Sequence, residues 1–188
     1  MITKYEIYEV IPRHELIKAM NEFKFDHFRS VHGIPHWMRV LHNGLLLSEQ
    51  NGANKKIIIA FAFFHDIKRE HECDDPEHGS RGGRRLLSLK YKINLSKDEL
   101  NKVIEACDNH TSGLHHDDLD ISTCWDSDRL DLYRVGIEPE PDYLNHDWSK
   151  DENNISDAMD RSMAPAESWM LEIVNDLKPE LNLTRMVG

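Results

Sequence analysis

Apolar residues recur at helical spacing along most of the chain, and no segment alternates apolar and polar residues as a half-buried strand does. The most apolar stretch is IIIAFAFF, residues 57–64, and it follows Asn54, a residue type that caps helices. Because this stretch is apolar all round rather than on one face, we predict a buried helix at the centre of the fold.

Helix start and stop signals divide the rest of the chain. The predicted helices run from Pro12 to about Ser30, from Pro35 to Asn51-Gly52, from Gly79 to Leu89, from the capping box at Ser96 to Thr111-Ser112-Gly113, from Ile121 to Gly136, and onward from Pro165, with a loop at Pro139 and Pro141. In the last helix, Trp169, Ile173 and Leu177 share one face. We therefore predict an all-α fold, a compact helical bundle.

Length and composition define the setting. A chain of 188 residues without a linker or repeat fits one domain, residues 1–188. The net charge of −11 argues against an extended nucleic-acid surface or an anionic-membrane surface. No signal peptide or membrane span is apparent, and Cys73, Cys107 and Cys124 suit reduced thiols, so we expect a cytoplasmic protein. The oligomeric state stays open.

Twelve histidines make metal chemistry worth testing. His36 follows His32 by four residues, His65-Asp66 ends the central helix, His110 ends another, and Asp128 lies on a later helix. Burying these groups without partners costs about 1–3 kcal/mol or more each, and one shared cation would satisfy several of them.

Each of these residues also has a structural interpretation. A single buried histidine is commonly hydrogen-bonded to a carbonyl group, and Asp66 or Asp128 alone fits a helix-end or salt-bridge carboxylate. The remaining histidines outside the motifs are interpreted as surface or structural residues: His14, His27, His42, His115, His116 and His146.

The ordered motifs HGIPHWMRV, FFHD and DSDRLD resemble the metal-binding signature of the HD-domain superfamily of helical metal-dependent phosphohydrolases. The fuller pattern, with HDIKRE, DPEHG and CWDSDRLDLYRVGI, is similar to a bacterial branch of that superfamily. The resemblance spans roughly residues 30–135, which would form the metal-site core, and residues 140–188 would form a helical extension.

The resemblance implies a first metal site at His36, His65, Asp66 and Asp128. It implies a second site at His78 and His110 with Asp66 bridging, unless those two histidines line the substrate pocket beside a single ion. Imidazole and carboxylate ligands suit a divalent ion, one or two of Mn, Fe, Co, Ni, Zn or Mg, and select none of them.

Charged residues around the motifs suggest further roles. Lys68, Arg69, Arg81, Arg84 and Arg85 are a candidate phosphate cradle or else a solvated basic face, and Glu70 or Glu72 is a candidate to activate water. Arg39 and Arg129 are expected either at substrate or behind ligand carboxylates, and His32 is expected at substrate.

These features predict a phosphohydrolase that takes Asp66, Lys68, Arg69 and Glu70 as catalytic residues and His32, Arg39, Arg81 and Arg84 as substrate-binding residues. The substrate would be a small phosphorylated molecule, with a nucleotide favoured. Two alternatives stay open: a dinuclear iron oxygenase on the same scaffold, and a metal- or nucleotide-binding module without turnover.

Overall fold

The computed structural model describes residues 2–182, and no β-strand occurs among them. The α-helices within this range are α1 Lys4–Val10, α2 Arg13–Met20, α3 Ile34–Asn51, α4 Lys55–Phe64, α5 His78–Leu87, α6 Lys97–Asn109, α7 Leu119–Arg129, α8 Asp147–Lys150, α9 Glu152–Met163 and α10 Ser168–Leu177. Short 3-10 helices cover Leu132–Val135, Pro141–Tyr143 and Lys178–Glu180. The all-α prediction is confirmed.

Helix α4 lies at the centre, as its sequence predicts. Asn54 caps it by accepting a hydrogen bond from the backbone N–H of Lys56 at 2.9 Å, and every residue from Ile57 to Phe64 is buried. Helices α3, α5, α6 and α7 all pack against α4. The C-terminal end of α4 therefore opens at a point that four other helices surround.

Helix α5 approaches α4 and α6 at unusually short range because glycine occupies its contact positions. A Cβ atom at Gly82 would overlap the carbonyl oxygen of Phe64, and one at Gly79 would overlap that of Cys107. The residues that lower the intrinsic helix propensity of α5 are thus the ones that let it pack.

The two ends of the described chain are joined through α10. Asp176 on this helix accepts hydrogen bonds from Tyr8 at 2.8 Å and from the Arg13 Nε at 2.7 Å. Trp169, Ile173 and Leu177 are buried in the main core, which confirms the predicted apolar face. Helix α9 adds a small second apolar cluster against α3.

Several predicted boundaries are wrong. The helix predicted from Pro12 to Ser30 ends at Met20, because residues 21–33 form turns in which the buried His27 side chain bonds to the carbonyl of Met20. The helix predicted to reach Gly136 stops at Arg129, and Asp131 is instead turned towards α3 by contacts described below. Helix α1 was not predicted, and α8 and α9 lie within the predicted helical extension, residues 140–188, without having been predicted individually. Met1 and residues 183–188 of the predicted domain lie outside the described residues.

The described helices include none that is both long and apolar enough to cross a membrane. The three cysteines are free thiols, as expected; Cys107 and Cys124 are buried and Cys73 is exposed.

Candidate metal centre

Five helices bring the predicted metal ligands to one place. His36 lies in the first turn of α3, His65 and Asp66 directly follow α4, and His78 begins α5. His110 follows α6, and Asp128 lies near the end of α7. Helix ends dominate this set because a helix end can direct a side chain past the packed core into a cavity.

The first cluster contains His36, His65, Asp66 and Asp128. The Nε2 atoms of His36 and His65 lie 2.9 Å apart. Asp66 Oδ2 lies 3.6 Å from His36 Nε2 and 3.7 Å from His65 Nε2. Asp128 Oδ1 lies 3.3 and 3.9 Å from the same two nitrogens. Two imidazoles and two carboxylates thus direct donor atoms to one point.

The second cluster contains His78, His110 and the other oxygen of Asp66. The Nε2 atoms of His78 and His110 lie 2.9 Å apart. Asp66 Oδ1 lies 3.1 Å from His78 Nε2 and 4.0 Å from His110 Nε2. Asp66 therefore contributes one oxygen to each cluster and lies between them.

In each histidine, the hydrogen bond made by Nδ1 determines whether Nε2 carries a proton or a lone pair. His65 Nδ1 donates to the carbonyls of Phe61 and Ala62 at 3.1 and 3.2 Å, and His110 Nδ1 donates to Cys107 at 2.7 Å. His78 Nδ1 likewise donates to the Asp75 carbonyl. Since carbonyl oxygens only accept, each Nδ1 carries a proton, and each ring in its neutral form presents an Nε2 lone pair to the cluster.

His36 has the same arrangement with a carboxylate. Its Nδ1 donates to Asp131 Oδ2 at 2.7 Å, and Arg39 binds both oxygens of Asp131 at 2.6 and 3.1 Å. Asp131 is 1% exposed and also accepts a hydrogen bond from Ser162 on α9. A carboxylate held in this way fixes the ring orientation and tautomer of a metal-binding histidine.

The electrostatics of the site favour a cation. Burial lowers the pKa of His65 to about 3 and lowers that of His110, so both rings stay neutral. Burial alone would raise the pKa of the Asp66 and Asp128 carboxyls, but the surrounding histidines lower both below their usual range. The interior thus holds two ionised carboxylates beside the neutral rings of His65 and His110, an arrangement that a bound cation would stabilise.

The residues present fit a divalent metal ion. Paired Nε2 lone pairs face each other across 2.9 Å in both clusters, which is repulsive unless a proton or cation lies between them. Asp66 Oδ1 is buried and has no hydrogen bond of acceptable geometry among residues 2–182. Imidazole nitrogen and carboxylate oxygen are suitable ligands for first-row transition metals.

A cavity of about 370 Å³ opens above the clusters. Its basic residues are Arg69, Arg129 and Arg134, and Glu72 and Cys73 also line it. The buried Arg69 places Nη1 3.5 Å from Asp66 Oδ1, and its Nε has no hydrogen-bond partner among the described residues. The cavity therefore combines candidate metal ligands with an arginine, Arg69, whose Nε donor is unsatisfied.

His32 lies between this cavity and the clusters. Its Nδ1 lies 2.8 Å from Asp66 Oδ2, and its Nε2 lies 3.2 Å from the carbonyl of Glu72. The residue predicted at substrate thus also orients the shared aspartate.

Most of the predicted phosphate cradle lies elsewhere. Lys68 and Arg85 bind Glu22, and Arg81 binds Asp75 and the carbonyl of Lys68. Arg84 is exposed on α5. None of these basic residues lines the cavity, because acidic partners elsewhere in the fold hold three of them.

The structure places three further predicted residues, Glu70, Arg39 and Arg129, in different surroundings. Glu70 is exposed, forms an ion pair with Lys24 at 2.6 Å and does not line the cavity. Arg39 does not line the cavity and binds Asp131, which is not one of the predicted ligand carboxylates. Arg129 lines the cavity, but its guanidinium donates to the carbonyls of Gly113, Leu114 and Tyr143.

Asp131 and Arg134 are site residues that the sequence motifs did not predict. Arg134 lines the cavity, donates from Nε to the carbonyl of Val31 at 2.8 Å and lies next to Asp131. Both belong to the motif DSDRLDLYR, where they follow Asp128 by three and six residues. The available signal was helical spacing, which places residues three apart on one side of the chain.

Comparison with solved structures shows the fold. The chain is similar to the crystal structure of a predicted HD superfamily hydrolase from an uncultured Thermotogales bacterium, with 24% identity over 89% of this chain and 91% of that one, and a TM-score of 0.57. It is also similar to a Lactobacillus plantarum protein, with 19% identity over 96% and 98% of the two chains and a TM-score of 0.50. No protein-family model and no curated protein matches the chain. The chain thus shares the all-α fold of these two structures.

Proposed function

We propose that the protein is a metal-dependent phosphohydrolase that acts on a phosphate ester or anhydride of a small molecule. The observation that carries this proposal is the pair of histidine clusters that share Asp66 beneath a cavity with guanidinium donors. The fold shared with a predicted HD superfamily hydrolase supports it. Localisation in the cytoplasm and a single domain over residues 1–188 remain predictions.

The ligand sets support two ions rather than one. His36, His65, Asp128 and Asp66 Oδ2 would hold the first ion, and His78, His110 and Asp66 Oδ1 would hold the second. With one ion alone, the other pair of Nε2 atoms, 2.9 Å apart, would need a proton between them to relieve the repulsion. A divalent ion bound there supplies Lewis-acid charge and lowers the pKa of water towards neutrality.

The protein's own residues bind and orient the substrate. Arg69 and Arg134 are the candidates to bind phosphoryl oxygens, since both line the cavity and guanidinium groups match phosphate geometry. Glu72 lines the cavity and accepts a hydrogen bond from Ser30 at 3.1 Å, so it is the candidate to orient or deprotonate water in place of Glu70. His32 holds Asp66 in place.

Metal analysis of purified variants tests the ligand assignment. Wild-type protein, refilled with Mn or Co after chelation, is expected to bind two ions per chain. Asp66→Ala should remove both, His110→Ala should remove one, and the exposed His14→Ala is the matched control that should remove none. Circular dichroism confirms that each variant is helical. A refilled wild type without metal would refute the assignment.

A substrate screen tests the reaction. Nucleoside mono-, di- and triphosphates, cyclic and alarmone nucleotides and sugar phosphates are incubated with several metals, and phosphate, pyrophosphate and nucleoside release is measured. Nucleotides are the class we favour, and release must disappear in Asp66→Ala. Oxygen uptake with bound iron and no phosphate release would indicate the oxygenase alternative, and stable nucleotide binding without product would indicate a binding module.

A further inference from the structure

A second cavity, of about 260 Å³, lies between α3, the connection from α9 to α10, and α10 itself. Its walls are mainly apolar and include Ile34, Met38, Met170, Leu171 and Val174. None of the residues that line it lines the metal-site cavity. The two cavities are therefore separate.

One wall of this cavity carries a cation with no carboxylate at ion-pair distance among the described residues. Arg161 is partly buried, and its Nε and Nη2 contact the amide oxygen of Asn43 at 3.3 and 3.2 Å. It forms no ion pair within residues 2–182, so three of its five N–H donors have no protein acceptor there. Burial lowers its pKa, which reflects the cost of keeping this charge away from water.

The other polar groups of the cavity make no hydrogen bond to Arg161, although the more distant carboxylates of Asp157, Glu167 and Asp131 act on its charge. Arg39 donates from Nε and Nη2 to the two oxygens of Asp131, so its charge is already paired. Glu167 accepts the indole N–H of Trp169 at 2.9 Å and lies 3.4 Å from His42 Nδ1 without a hydrogen bond. Among the described residues that line the cavity, Arg161 is therefore a guanidinium with free donors and no carboxylate within ion-pair distance.

We propose that this cavity binds a small amphipathic monocarboxylate, with the carboxylate on Arg161 and the apolar body against Met38, Met170 and Val174. A planar carboxylate matches the free donors of a guanidinium, and a single negative charge is the smallest that can use them. A phosphate dianion would carry excess charge beside Glu167. The volume is below the roughly 300–1,000 Å³ of typical drug-sized sites, so the ligand must be small.

The site lies behind the metal centre rather than in it. Arg39 lines the cavity, contacts Asp131, and Asp131 in turn contacts His36. A ligand at Arg161 would thus be separated from the metal-binding histidines by this ion pair. Binding at the metal centre and binding at this cavity can be distinguished by position.

Titration with octanoate and with 1-octanol tests charge and location together. Calorimetry should show octanoate binding roughly tenfold or more tighter than octanol, as expected when a charge-assisted hydrogen bond is lost. In protein labelled with ¹³C at the methionine methyls, the signals of Met38 and Met170 should shift. Met20, which is buried but does not line the cavity, is the internal control and should not shift.

Two variants separate the charge from the fold. Arg161→Gln should weaken octanoate binding roughly tenfold or more and leave octanol binding unchanged. The exposed Arg84→Gln is the control with the same charge change and should bind like wild type. Leu171→Asp, at a position 47% exposed, places a like charge at the site without disturbing the core and should also abolish octanoate binding.

Three results would overturn the proposal. The first is equal affinity for octanoate and octanol. The second is a methionine spectrum in which Met38 and Met170 do not respond. The third is a wild-type dimer that Leu171→Asp converts to a monomer in sedimentation experiments, because a second copy of the chain would then cover this face.

Discussion

Replacing Asp131 with asparagine tests whether a residue that touches no substrate controls the metal site. Asp131 is 1% exposed and accepts hydrogen bonds from His36 at 2.7 Å, from Arg39 at 2.6 and 3.1 Å and from Ser162 at 2.9 Å. All of these partners donate. Asparagine has nearly the same shape, but its NH₂ group must face a donor, and the negative charge is lost.

Two magnitudes follow for Asp131→Asn. Loss of an acceptor behind a metal-binding histidine usually costs about 10- to 100-fold in metal affinity, or about 1.4–2.8 kcal/mol. Removing one partner of a buried ion pair costs about 3–5 kcal/mol of folding stability, and the low end applies here because the Arg39 side chain is 17% exposed and can be hydrated. Metal affinity and stability should therefore both fall.

The assay is a competition titration of Mn or Zn against a chromophoric chelator, combined with urea unfolding of the metal-free protein. Asp160→Asn, an exposed carboxylate on α9, is the matched control and should change neither quantity. Wild-type metal affinity in a folded Asp131→Asn protein would show that Asp131 does not position His36. A loss of stability alone would assign it a purely structural role.

Three further predictions use matched pairs or pH. Glu72→Gln should lower kcat about 100-fold or more while Glu70→Gln stays near wild type, and equal kcat values would remove Glu72 from the mechanism. Gly82→Ala should destabilise the protein in urea unfolding because its Cβ overlaps a backbone carbonyl, whereas Gly83→Ala, which meets only side-chain atoms and a carbonyl at 3.2–3.5 Å, should stabilise it by up to about 1 kcal/mol. Hydrogen bonds from the N-terminal helices lower the pKa of Asp176 to about 2. The ionised carboxylate therefore stabilises the folded protein fully above the usual pKa near 3.8, and this contribution to folding stability is lost as the pH falls towards 2. Replacing Asp176 with Asn should therefore flatten the acid limb of the stability profile, and an unchanged limb would contradict the assignment.

Local sequence signals predicted the parts of the site that depend on helix ends. An apolar run that stops at His65-Asp66 predicts a buried helix whose end delivers these side chains, and the structure places them there. The spacing of His36, His78, His110 and Asp128 relative to their helices was also visible, because caps and periodicity act within a few residues.

The tertiary structure decided which basic side chains are free to bind a ligand in the cavity. Lys68 and Arg85 are adjacent to the site in sequence, yet both bind Glu22, which precedes them by 46 and 63 residues. Arg134 was overlooked, although it reaches the cavity. No local pattern specifies such long-range ion pairs.

The sequence by itself determined an all-helical fold, the buried central helix and the types of side chain that meet at its end. Tertiary packing decided that Asp66 lies between two histidine pairs, that Asp131 supports His36, and which arginines face the cavity. The physical reason is range: helix formation and capping depend on neighbours within about one turn, whereas a buried charge is stable only with partners that the folded chain brings from distant positions.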